Sequence, residues 1–129
     1  MPLRKIESKR QFFAFFLKFK VPVSIFGVLF KIMKNLYIVA LFQFKENDIM
    51  DALELLKKLV IETRKEEGCL QYDLVEDREN KGVFFIVELW ETEVHHHQHN
   101  GTDHLMNFRM QSASMLQKSA EVYKGYKTF

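Results

Sequence analysis

The chain has 129 residues, 47% of them hydrophobic and 14% aromatic, which suits one domain with a single core and excludes a disordered chain. Its net charge of +2 is uneven: residues 1–34 carry eight Lys/Arg against one acid, whereas the rest is net acidic. An acidic body argues against nucleic acid as a partner, and a single cysteine, Cys69, excludes an intrachain disulfide and fits a reducing, cytoplasmic setting.

The basic segment 1–34 is rich in phenylalanine, holding seven of the thirteen in the chain. A membrane span needs about 20 largely apolar residues, but Lys18 and Lys20 split this run and Lys31 closes it. Arg4, Lys5, Lys9 and Arg10 suit the start of a signal peptide, yet no small-residue cleavage site follows an unbroken apolar core. A basic aromatic segment suits an anionic membrane surface. The plainer reading makes residues 1–32 an upstream extension of the reading frame, with Met33 as the start.

From residue 35 the patterns are those of a folded body. Residues 36–45 are β-branched and aromatic and read as a strand. Asn47 offers a helix N-cap. Ile49, Met50, Leu53, Leu56 and Val60 then recur at helical spacing, predicting an amphipathic helix over 48–66, with Gly68 at the place of a left-handed C-terminal cap. Residues 70–76 and 83–90 read as strands around the polar turn 77–82. Thr92 and Thr102 cap two short helices separated by Asn100-Gly101, and 122–129 reads as a last strand. The order β-α-β-β-α-β is that of a ferredoxin-like α+β sandwich. In the third strand Phe84, Ile86, Glu88 and Trp90 share one face, and Val83, Phe85, Val87 and Leu89 the other. Both faces are largely apolar. Helices can cover only one, so a partner sheet is expected over the other.

The residues with chemistry cluster after that strand. His99 and His104 fall on the short helices, where neutral imidazoles can accept protons; a purely structural role is the bland alternative. Glu88 shares the buried face with Trp90 and needs a partner there. Trp90, Tyr72 and Phe44 offer aromatic walls for a ligand, or ordinary core. Cys69 reads as a small hydrophobe. His95 and His99 stand one helical turn apart and could chelate an ion, but no third ligand is specified beyond nearby Asp103 and His104, so no metal site is assigned. His96, within the run 95–97, is expected to be solvated. The five glycines never form a phosphate loop or dinucleotide fingerprint, so an oxygenase built on this chain works without flavin or nicotinamide.

Glu88-Leu89-Trp90, the His residues nine and fourteen places after Trp90, and Glu66-Glu67-Gly68-Cys69 followed by Tyr72 together resemble the antibiotic biosynthesis monooxygenase family over residues 35 to 127. The resemblance implies a homodimer whose sheets pair into an α/β barrel. It also implies a cofactor-independent monooxygenase acting on a small hydroxyaromatic or quinol with O₂. His99 would remove a proton, His104 would stabilise an oxyanion, and Trp90 with Tyr72 would hold the ring, with Glu88 and Phe44 beside them. Two alternatives stand next to it: a proton-transfer isomerase on a small sugar-derived phosphate, as in the autoinducer-2-processing relative, and a ligand-binding dimer without turnover. The haem-degrading branch carries an Asn on its first strand, and residues 39–44 contain none.

Overall fold

The computed structural model describes Arg10, Ala14, residues 17–20 and residues 22–129. Arg4, Lys5 and Lys9 of the basic cluster lie outside the described residues. The chain divides into two compact units, Met1–Met33 and Lys34–Phe129. In the first, helix α1 (Val23–Ile32) follows Pro22, whose carbonyl accepts from the Ile25 amide at 2.9 Å. Phe26 and Phe30, one turn apart, stack at 6.3 Å between ring centroids. Among the described residues no helix is long and apolar enough to cross a membrane.

The second unit is a ferredoxin-like α+β sandwich. It runs β1 (Leu36–Gln43), a 3₁₀ turn (Glu46–Asp48), α2 (Ile49–Thr63), β2 (Cys69–Glu76), β3 (Val83–Trp90), α3 (Glu93–Asn100), α4 (Asp103–Ser112) and β4 (Glu121–Gly125). The sheet order is β2-β3-β1-β4, antiparallel throughout. Alternation along β1 and β3 sends Ile38, Ala40, Phe42, Phe84, Ile86, Glu88 and Trp90 inward, where α2 supplies Ala52, Leu56, Leu59 and Val60. Each large apolar side chain buried there stabilises the fold by about 1.5–3 kcal/mol. The opposite face of the sheet, with Tyr37 and Val39 about 40% exposed, carries none of the described helices of this unit. The four strands stay an open sheet and do not close into a barrel within one chain.

Several local expectations are corrected. Asn47 lies inside the 3₁₀ turn, and the residue flanking α2, Asp48, makes no side-chain cap bond. Helix α2 ends at Thr63, so Gly68, at φ +79°, serves the loop into β2 instead of capping the helix directly. A Cβ at Gly68 would fall 2.1 Å from the His95 ring, which makes this position intolerant of any side chain. Thr92 does cap α3, accepting from the His95 amide at 3.3 Å. Thr102 does not cap α4; its hydroxyl donates back to the His99 carbonyl at 2.8 Å. The last strand is shorter than its aromatic pattern suggested, ending at Gly125.

Candidate functional site

The end of β3 and the loop before β2 are pinned together, and that junction builds the site. The Glu91 amide donates to the Gly68 carbonyl at 2.8 Å. Arg64 anchors the same loop to β2, donating from Nε to the Tyr72 carbonyl and from its guanidinium to Asp73, each at 2.9 Å. Glu66 is thereby held over the inner end of the sheet, facing the two short helices.

His99 is 2% exposed, and its Nδ1 lies 2.7 Å from Glu66 Oε1. His104 Nε2 approaches the same oxygen at 2.5 Å. A carboxylate only accepts, so His99 carries its proton on Nδ1 and leaves an Nε2 lone pair. That Nε2 faces the Tyr72 hydroxyl at 3.5 Å, too long to be a strong bond. Burial lowers the His99 pKa from its ordinary value, only partly offset by Glu66, so the ring is neutral near pH 7 and able to take a proton.

Beside it Glu88 receives the Trp90 indole N–H at 2.7 Å. Burial raises the Glu88 pKa to about 7, against the pull of that bond and of Lys124. Burial also pushes the Tyr72 hydroxyl well above the usual tyrosine range, so it stays a neutral donor. The Cys69 thiol is raised to about 11 by burial and by Glu66, and is no activated thiolate.

Between sheet and helices lies a cavity of about 290 Å³. Its polar wall includes Tyr72, Glu88, His96 and His99; Phe42, Leu59, Leu105, Phe108 and Leu116 are among its apolar lining, and Arg109 and Lys124 also border it. The structure thus brings His99, Tyr72 and Glu88 to one cavity. Trp90 stands behind this wall, fully buried, with its ring 4.8 Å from that of His99 between centroids. His104 is likewise set back, reaching the cavity only through Glu66 and His99. Phe44 lies apart, stacked on Phe42 and tilted against Phe84 in the core, because its inward position falls beyond the cavity's end of β1.

Two residues of the site were not assigned to it by the sequence reading. Glu66 is the hub of both imidazoles, yet it stands 33 positions from His99. His96 is 8% exposed and lines the cavity instead of being solvated; burial drops its pKa to about 4. Its i, i+3 spacing to His99 was the available signal. His95, by contrast, is engaged with Thr92, its Nδ1 at 2.9 Å from Oγ1, and does not pair with His99 as a chelate.

The family model for antibiotic biosynthesis monooxygenase matches residues 35–111. The chain belongs to the antibiotic biosynthesis monooxygenase family. It is 31% identical over 68 residues to Rv0793 of Mycobacterium tuberculosis, which is named as a monooxygenase; that match spans 53% of this chain and 66% of the relative's length. Among solved structures it is similar to a protein from Methanosarcina mazei Go1, with TM-score 0.71 and 30% identity, covering 78% of this chain and 99% of that one. PA3566 from Pseudomonas aeruginosa is similar at TM-score 0.71 and 26% identity, covering 76% and 98%.

Proposed function

We propose that this family member is an enzyme that oxygenates a small hydroxyaromatic or quinol, with no cofactor beyond the substrate and O₂. The observation that carries the reading is the Glu66–His99 pair, 2.7 Å apart, with His99 on the wall of a largely apolar cavity. Glu66 fixes the tautomer, and His99 Nε2 takes the phenolic proton; such a base contributes about 10²–10⁴-fold in rate. The resulting phenolate is electron-rich enough to pass one electron to O₂, and recombination of the two radicals forms the C–O bond. Loss of water then leaves a hydroxyquinone. The balance closes without an external reductant: one oxygen atom enters the ring, the other leaves as water, and the quinol and the attacked C–H bond each give two electrons. Tyr72 and protonated Glu88 donate hydrogen bonds to the developing oxyanion, a role His104 is too far back to fill. A cavity of about 290 Å³ lies near the lower end of the roughly 300–1,000 Å³ range of ligand pockets, which suits one or two rings.

The working unit in this reading is a homodimer, its two open sheets packed through their uncovered faces into the α/β barrel. A cytoplasmic setting accords with the free Cys69 thiol. A second reading draws on Arg109 and Lys124, which border the same cavity and suit an anionic substrate. With them, His99 would move a proton on a sugar-derived phosphate. Oxygen uptake with reduced naphthoquinols, with ¹⁸O₂ incorporation read by mass spectrometry, decides between the two. Label in the product supports oxygenation. No uptake above the buffer rate, together with deuterium exchange into a sugar phosphate, supports isomerisation.

A further inference from the structure

Three potential metal ligands from separate segments meet behind the cavity wall: Glu66 from the loop before β2, His99 from α3 and His104 from α4. One carboxylate oxygen and two ring nitrogens lie within 4.8 Å of one another. Ligands around an ion at about 2.0–2.2 Å sit roughly 3–3.5 Å apart, so the two short contacts must open by about half an ångström to one ångström while the most distant donor pair, within 4.8 Å, draws together. We propose that Glu66, His99 and His104 form a site for one divalent transition ion of the zinc, cobalt or ferrous class.

The donor set decides the class. Two imidazoles with one carboxylate suit these ions, whereas magnesium and calcium favour oxygen ligands. Access is graded: the side chain of His99 is 2% exposed, Glu66 13% and His104 25%, so an ion enters past His104. The other His99 nitrogen faces the Tyr72 hydroxyl at 3.5 Å, an oxygen that could accept the outer N–H a ligating histidine must place. Binding would displace the proton now shared between His99 Nδ1 and Glu66. A neutral imidazole with a metal on Nδ1 carries its proton on Nε2, the nitrogen turned toward Tyr72. This consequence, which rests on the base assigned above, makes the ion an inhibitor of proton abstraction; the binding itself stands without it.

The test uses tag-free protein, stripped with a chelator and titrated with Co²⁺ while visible absorption is followed, then with Zn²⁺ by calorimetry in two buffers of different ionisation enthalpy. One ion per chain is expected, with proton release and a ligand-field spectrum of mixed nitrogen and oxygen ligation. Glu66→Gln and His104→Ala should each weaken binding by about tenfold or more. His97→Ala, at an exposed neighbour in the histidine run, should leave it unchanged. Binding that survives both ligand variants, or that follows His97, overturns the site, as does no binding at micromolar ion. If Glu66→Gln lowers the melting point, His104→Ala, at the more exposed side chain, decides alone. None of these readouts depends on turnover, so loss of the oxygenase reading would leave the result intact.

Discussion

The indole of Trp90 lies against the imidazole of His99, centroids 4.8 Å apart with 33° between the planes. Because Trp90 is the sole tryptophan, its emission reports the charge on His99: a protonated imidazole at this distance quenches indole. Burial holds the His99 pKa below 6.5, while Glu66 pulls it upward. Fluorescence should therefore fall as pH drops, with a midpoint under 6.5. In Glu66→Gln that midpoint should move lower still, since the upward pull is gone. His96, 6.0 Å from the same indole, titrates near 4, so a His96→Gln background separates the two. A midpoint unmoved by Glu66→Gln would show that the pair does not act as drawn.

Removing the base should cost rate without costing the fold. His99→Ala is expected to reduce oxygen uptake with a quinol by about 10²–10⁴-fold. Glu66→Gln should lower kcat by a smaller factor, and Glu66→Asp should restore part of it, because Glu66 orients the ring and does not touch substrate. His97→Ala, at an exposed position, is the control that should turn over like the parent. Full activity in His99→Ala would place the base elsewhere.

Glu88 links the site to stability. Its folded pKa of about 7 exceeds the ordinary carboxylate value of 4.5, so the folded state holds the proton more tightly than the unfolded one. The contribution is fully present below about pH 4.5 and is lost as pH rises through 7, a loss of up to about 3 kcal/mol. Glu88→Gln keeps an oxygen for the Trp90 N–H and cannot ionise. Its stability relative to the parent should thus be higher at pH 8 than at pH 5, read from urea midpoints at the two values. Equal differences at both would mean that Glu88 is solvated in the folded state.

The strands were legible because their signals are local. β3 runs from Val83 to Trp90, as its alternation predicts, and the same alternation separates the buried Glu88 and Trp90 from the half-buried Val87 and Leu89. His99 and His104 were legible from their spacing after Trp90. What was hidden depends on tertiary contact. Glu66 belongs to a polar turn, where a carboxylate is ordinarily solvated; only the Glu91–Gly68 pairing and the Arg64 anchor carry it to the imidazoles. The polar composition of α3 concealed His96, since nothing in Glu93–Asn100 marks an apolar stripe, yet the helix still buries one His edge against Trp90. Phe44 shares an inward row with Phe42, but the cavity lining includes Phe42 and not Phe44.

The uncovered sheet face makes the sharpest structural prediction. Val39 pairs with Val87 on one side and Tyr123 on the other, and these with Tyr37, Leu41 and Phe85 form an apolar surface that no helix of the body covers. Monomers rarely leave such a patch in water, and a second copy of the same face buries it with satisfied strand alternation on both sides. The chain is therefore expected to be a homodimer, with twice the chain mass by light scattering at micromolar concentration. Val87→Lys places a charge at the centre of the face and should yield monomers. The inward row of β3, with Glu88 and Trp90, is left alone by this change, so the Trp90 emission should keep its parental pH dependence if the site is built within one chain. A parent that is a stable, soluble monomer would sink the dimer. So would a Val87→Lys variant that keeps the parental mass.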